Sequence, residues 1–269
     1  MSLSKLVLVR GAGDLATGVI IRLRRSGYRV VALEMAQPTV IRRTVAFAEA
    51  VYGQPIMVEG FTAELADTLA DIEACLSWGT IPVVVDPECA LAAEIKPAAL
   101  VDAIIAKRNL GTRLSMAPVV IALGPGFTAG ADVHAVVETK RGHHLGRVIE
   151  AGEAENNTGI PGEIGGHGAD RVFHAPCAGI VEVLRDIGSM VRKGEQILAV
   201  RGEGEIWIEA PFDGVVRGMI RPGSRVPMGM KIADIDPRCE VSHCHTVSDK
   251  ARAIGGGVLE ALLHFGVKP

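Results

Sequence analysis

Aromatic residues are scarce in this 269-residue chain: six Phe, two Tyr and two Trp. Proteins that hold single-stranded nucleic acid stack its bases on aromatic side chains. With 28 Lys and Arg against 31 Asp and Glu the chain has no cationic surplus either, so no nucleic-acid partner is expected. No apolar run reaches the roughly 18–20 residues of a membrane span, and no membrane partner is expected. The opening MSLSKLVLVR runs straight into a Gly-rich turn and reads as a buried strand, not an export signal with a cleavage site. The cysteines are odd in number: Cys75, Cys89, Cys177, Cys239 and Cys244. A reduced, cytoplasmic setting is therefore expected. What the chain does have is 48% hydrophobic residues, enough for a sizeable core, and 32 glycines, which point to tight turns and close backbone approaches. The length suits one large domain or two modest ones.

The N-terminal half reads as alternating strands and helices. Leu6 to Val9 is a continuous apolar run, typical of a strand buried on both faces. Gly11-Ala12-Gly13-Asp14-Leu15-Ala16 follows directly and fits G-x-G-x-x-[G/A]. Leu15 to Arg25 then has helical spacing, and Arg29 to Leu33 reads as a second strand ending at Glu34. In such an arrangement Gly11 permits the turn, Gly13 admits a pyrophosphate, and the helix N-terminus offers free N–H groups to an anion. Glu34 is placed to accept from ribose hydroxyls. Gly11, Gly13, Asp14, Thr17 and Glu34 are thus candidate cofactor-binding residues. Asp14 would repel phosphate unless compensated, and Arg10 is the nearest compensating charge. The alternative is a Gly-rich turn kept only for packing. Thr62 to Leu76 and Pro97 to Arg108 are expected as helices, with Ile81 to Val85 and Val119 to Leu123 as strands. Gly124-Pro125-Gly126-Phe127 ends the last of these and adds Gly124, Gly126 and Phe127 to the cofactor-binding candidates. Arg42, beside Arg43, is a further anion-binding candidate, or part of a solvated face.

Two polar stretches carry reactive side chains. His134, Glu138, Arg141 and His143 fall in an expected hairpin, Asp132 to Ile149, where they either do acid–base work or decorate a solvated tip. Asn156 to Gly162 is expected as a loop. Cys239, His243, Cys244 and His245 lie close together, but adjacent ligands in an extended stretch point apart, and no metal site is expected. Cys244 lies just before an expected helix that starts at Asp249 with Ser248 as N-cap, so it is either a nucleophilic thiolate or a buried structural thiol.

The C-terminal half contains a repeat. Ala175-Pro176 recurs as Ala210-Pro211, Gly188-Ser189 as Gly223-Ser224, and Ile197 as Ile232, each 35 residues on. Two interlocked copies of short strands resemble the biotinyl/lipoyl barrel-sandwich hybrid. The hairpin between the copies, Arg201 to Glu205, has no Lys to modify, so no biotin or lipoyl group is expected. The fold expected is α/β: a Rossmann-like parallel sheet domain over 1–165, a small all-β barrel-sandwich hybrid over 166–238, and a C-terminal segment and helix over 239–269 packing back on the first domain.

Long strings carry a further resemblance: RGAGDLATG, PTVIRRTVAFAEAVY, IALGPGFTAG, ETKRGHHLGRVI, NTGIPG and SDKARAIGGGVLEAL. These resemble the YqeB family, accessory proteins of selenium-dependent molybdenum hydroxylase systems, distantly related to XdhC-type maturation factors. The resemblance implies a maturation role with a molybdenum hydroxylase or its cofactor as partner, and a bound nucleotide, either NAD(P) or a molybdopterin dinucleotide. Under it Cys244 would carry sulfur or selenium. Alternatives are an NAD(P)-dependent oxidoreductase, against which stands the absence of any hydride-transfer constellation, and a non-enzymatic docking scaffold. A homo-oligomer is compatible with all of them.

Overall fold

A computed structural model describes residues 6–156, 159 and 162–269. The chain divides into two compact units: Met1–Pro38, Ala46–Thr158 and Val247–Pro269 make the first, Thr39–Val45 and Gly159–Thr246 the second. The expected loop at Asn156 to Gly162 lies mostly outside the described residues, as do the first five positions.

The first unit is built on strands β1 (Leu6–Arg10), β2 (Arg29–Glu34), β3 (Ile56–Val58), β4 (Phe61–Leu65), β5 (Ile81–Val85), β6 (Ala99–Asp102), β7 (Val119–Leu123), β8 (Thr128–Ala129), β9 (Ala135–Val137), β10 (Val148–Ile149) and β11 (Gly152–Glu153). Nine of them form one sheet in the order β10-β9-β7-β6-β1-β2-β5-β4-β3. The seven inner strands run parallel, while β3 and β10 are antiparallel at the two edges. β1 and β7 are buried along their whole length, as continuous Val/Leu/Ile runs require when both faces are covered. One face packs Leu6, Leu8, Leu33, Leu100 and Val120 into a core with Ile72 and Phe127.

Helix α1 (Asp14–Arg25) buries Val19, Ile20 and Leu23 and leaves Arg22, Arg24 and Arg25 in its last turn, where cations favour the C-terminal dipole. Helix α2 (Leu69–Trp78) starts at a capping box made by Thr68 and Asp71, α3 (Leu91–Ile95) is one short piece, and α4 (Asp249–His264) is capped by the Ser248 hydroxyl, which accepts from Ala251 N–H. α4 lies against α1 within the first unit. A Cβ on Gly18 would stand 2.6 Å from that of Ala251, and one on Gly255 3.0 Å from the Gly18 carbonyl. Close approach of the two helix backbones is what those glycines serve.

The second unit has β12 (Val172–His174), β13 (Gly179–Val183), β14 (Met190–Val191), β15 (Gln196–Arg201), β16 (Glu205–Glu209), β17 (Gly214–Met219), β18 (Arg225–Val226) and β19 (Lys231–Asp236). They form two four-stranded antiparallel sheets, β12-β19-β17-β14 and β16-β15-β13-β18. β13, β14 and β15 begin 35 residues before β17, β18 and β19. Exchanging those pairs turns the run β19-β17-β14 of one sheet into β15-β13-β18 of the other, so each sheet draws on both copies of the repeat. Between them lie Val181, Ile197, Val200, Val216, Ile232 and Ile235.

The expected Rossmann-plus-barrel-sandwich layout is corrected. The large sheet is mixed, not parallel, and strand–helix alternation fails beyond α3, where β6 leads to β7 without an α-helix. Pro97 to Arg108 is not a helix: its first part is β6, paired in parallel with both β1 and β7, and β6 reaches β7 through a loop with one 3-10 turn at Leu114–Met116. In the second unit the structure shows two antiparallel four-stranded sheets, and the named hybrid does not stand as its description. The apolar run ALVDAII suits a buried helix and a buried strand equally, and pairing on both sides decides for the strand.

Candidate functional site

From β1 the chain fills the sheet in both directions, β2 and β5 on one side, β6 and β7 on the other. The boundary between β1 and β6 is where strand order reverses, and ligands of open α/β sheets sit beyond the carboxyl ends of the strands at such a point. Three segments meet there. Gly11 (φ 101°) follows β1, and a Cβ on it would lie 3.0 Å from the main chain of Ala103, just after β6. Gly126 (φ 104°) follows β7, and its Cβ would lie 2.6 Å from Arg108 Cα. Both turns need glycine because a neighbouring backbone occupies the side-chain position.

The Gly-rich turn is heavily bonded to its own chain. Gly11 N–H donates to Leu33 O (2.7 Å) and Ala48 N–H to Ala12 O (2.8 Å). The Glu34 carboxylate accepts from Ala12 N–H (2.9 Å) and Met35 N–H (2.8 Å). Burial pushes its pKa up, against those two bonds. Thr17 is wholly buried: its hydroxyl donates to Ala12 O and accepts from Phe47 N–H. Thr17 and Glu34 therefore shape the turn, Thr17 from inside it. At the N-terminus of α1, Gly13 is the N-cap and makes no side-chain cap, and Asp14 stands in the first turn. Phe127 belongs to the hydrophobic core, not to the crevice, and Gly124 packs on Thr139.

Beneath this switch point lies a polar network that the residue patterns did not bring together. Arg10 is buried; its Nη1 donates to Thr112 Oγ1 (2.9 Å) and its Nη2 to Pro87 O (2.7 Å), while Nε has no partner. Thr112 Oγ1 donates in turn to Asp102 Oδ2 (2.6 Å), and Arg10 Nη1 lies 3.7 Å from that oxygen. Burial raises the Asp102 pKa despite these contacts. Arg10 is thus committed to Asp102, Thr112 and Pro87. Cys89, close to Arg10, has its thiol pushed up to about 11 by burial. The intervening segment brings Lys107, Arg108 and Arg113, all exposed, to this edge of the sheet. An acid closing a buried strand, the Asp102 of LVDAII, was the available signal; assigning a helix there concealed it.

The expected catalytic group does not assemble. His134 Nδ1 accepts from Val120 N–H (3.0 Å), and its ring meets Phe265 edge-on. The buried Glu138 carboxylate accepts from Lys140 and Glu155 N–H groups, tying the hairpin to the segment after β11. Arg141 turns to Asp249 at the start of α4 (3.0 Å). A cavity of about 340 Å³ is lined by Glu138, His144, Arg147, Glu150, Glu153 and Glu155 among others. Its carboxylates are bonded to protein groups: Glu150 to His264, Glu153 to Thr128, Glu155 to Lys140.

Arg42 and Cys244 belong to the second unit. Arg42 Nη2 donates to the carbonyls of His243 (2.8 Å) and Thr246 (3.2 Å), which uses it as a brace for that segment. Cys244 is wholly buried, its Sγ is 3.6 Å from Val216 O, and burial raises its pKa. This is the setting of a packed thiol, contrary to a reactive one. Among the described residues no group of three or more His, Cys, Asp or Glu could hold a metal ion. None of the described helices is long and apolar enough to cross a membrane.

Comparison with known proteins gives no matching family model. The chain is 55% identical over 267 residues to the uncharacterized protein YqeB of Escherichia coli K12, covering 98% of this chain and 49% of that protein. It thus spans about half the length of that relative. Among solved structures it is similar to the ectoine utilization protein EutE of Ruegeria pomeroyi (13% identity, 86% of this chain and 84% of that one, TM-score 0.28). An aspartoacylase family protein of Mesorhizobium loti gives 10% identity, the same coverage and a TM-score of 0.29. Likeness at that level transfers neither fold nor activity. The expectations drawn from the family resemblance are corrected. The matched relative carries no assigned function, and no family model ties the chain to XdhC-type factors. The selenium and molybdenum role, the hydroxylase partner and their alternatives, the oxidoreductase and the scaffold, therefore lack support.

Proposed function

We propose that the first unit binds a small molecule through a phosphate or similar anionic group, in the crevice at the carboxyl ends of β1 and β6. The observation that carries this reading is the reversal of strand order between β1 and β6, with the N-terminus of α1, whose N-cap Gly13 has no side chain to cap it, directly beyond β1. Unsatisfied N–H groups at a helix start attract anions through hydrogen bonds and the helix dipole. Lys107, Arg108 and Arg113 add positive charge on the facing segment. Asp14 opposes it, so binding depends on the helix amides and these cations together outweighing one carboxylate. Gly11, Gly13 and Asp14 are the candidate ligand-facing residues, Glu34 holds the turn in shape, and Gly126 seats the segment that carries Lys107 and Arg108. The five free cysteines favour a reducing, cytoplasmic setting for the protein.

Calorimetric titration with ADP and with adenosine tests the reading. ADP should bind and adenosine much more weakly. Arg108→Glu, at an exposed position, should weaken ADP by roughly tenfold through charge reversal. Equal affinity for the two probes would remove the anion from the account.

A further inference from the structure

We propose that Ile104–Thr112 is a strained strap over the crevice, fastened by Asp102 and able to open as a unit; the idea that it regulates ligand access rests on the reading of the crevice given above. Asp102 grips both ends of the segment. Its Oδ1 accepts from Ile104 N–H (3.2 Å) and its Oδ2 from the Thr112 hydroxyl (2.6 Å). Arg10 backs that hydroxyl from below (2.9 Å). Asn109 ties the C-terminal end internally, accepting from the N–H groups of Gly111 and Thr112 (both 2.8 Å).

Between these fastenings the backbone is held where ordinary side chains rarely go. Ile105 has φ 60° and Lys107 φ 62°. A left-handed β-branched residue is a steric outlier, because Cβ crowds the following carbonyl. Such strain persists only where surrounding structure over-determines it, and it gathers at ligand clamps and switching segments. Three described contacts hold it: the Asp102 clasp, the Gly126 turn against Lys107 and Arg108, and the Gly11 turn against Ala103 and Ile104. Lys107, Arg108, Leu110 and Gly111 are exposed and Ile104 to Ala106 only half-buried, so the middle of the segment has no fully buried side chain to hold it down. A closed form that is strained inside and held mainly by polar contacts at its ends sits near the low end of local stability. The same segment carries the cations beside the crevice, so its opening moves them away from the anion they would meet.

Amide hydrogen exchange on the full chain, without ligand, tests this. Thr112→Val keeps the shape but removes the hydroxyl that links Asp102 to Arg10, and exchange over residues 105–111 should rise roughly tenfold, with β1, β6 and β7 unchanged. Lys107→Asn replaces an exposed side chain by one that tolerates the left-handed region, and exchange over the same residues should slow by about threefold. Opposite responses in the two variants are the signature of a strained, clasped strap. Unchanged or faster exchange in Lys107→Asn overturns the stored strain, and exchange of 105–111 only together with the core strands overturns independent opening. Because no ligand enters the measurement, failure of ADP to bind would sink the crevice reading alone, while failure here would leave that reading standing.

Discussion

Asp102 and Glu34 carry the most informative residue-scale chemistry, two carboxylates whose pKa values burial raises. A carboxylate with a raised folded-state pKa binds its proton more tightly in the native protein than in the unfolded chain. Its contribution to stability is therefore present at low pH and is lost as pH rises from the ordinary carboxylate range through the raised value, after which it is constant. Denaturant unfolding of the wild type and Asp102→Asn, between about pH 4 and 7, should give a difference that shifts in favour of the variant as pH rises. A difference independent of pH would mean that Asp102 titrates normally. The cysteines give a second check. Cys239 is exposed, whereas Cys75, Cys89 and Cys244 are buried and burial raises the pKa of all three. Native alkylation read by mass spectrometry should label Cys239 first and spare those three until the protein is denatured; early labelling of Cys244 would restore it as a reactive thiol. Proximity to a helix start is visible in sequence. Burial beneath β17, which decides the thiol's character, is not.

Among the elements, α4 puts glycine to two opposite uses within one triplet. A Cβ on Gly257 would run into the Gly146 carbonyl and Val137, whereas Gly256 has nothing near its Cβ position. Gly257→Ala should cost about 1–3 kcal/mol by forcing the helix off its seat. Gly256→Ala should stabilise by up to ~1 kcal/mol, the helix propensity difference alone. Thermal unfolding of the two variants checks both signs. The periodicity and the Ser248 cap made α4 readable in advance, as the apolar run and the Gly-rich turn did for β1 and α1. β6 was not readable, because neither ALVDAII nor its flanking proline distinguishes strand from helix until β1 and β7 are present to pair with it. The start of α2 was misplaced for a different reason: the Thr68–Asp71 capping box is a legible N-terminal signal, but helical spacing upstream of it masked β4.

Across the whole molecule the two units differ in how much of each the sequence reveals. The second unit announces itself through a repeat whose copies become equivalent strands in two sheets. The first unit announces its glycines but not its crevice, because the groups beneath it, Arg10, Pro87, Asp102 and Thr112, are spread over a hundred residues and meet only after β5 and β6 flank β1 and β2 in the sheet. Expected site residues scattered for the same reason. Gly11 and Gly126 border the crevice, Phe127 is core, and Arg42 and Cys244 lie in the other unit. The central claim is that the crevice between β1 and β6 takes an anionic ligand, and backbone amide chemical shifts followed during an ADP titration test it most directly. The account predicts saturable shifts confined to Gly13–Ala16 and Ala103–Thr112, reproduced in part by inorganic pyrophosphate. Shifts elsewhere, or none in those two segments at saturating ADP, would contradict it.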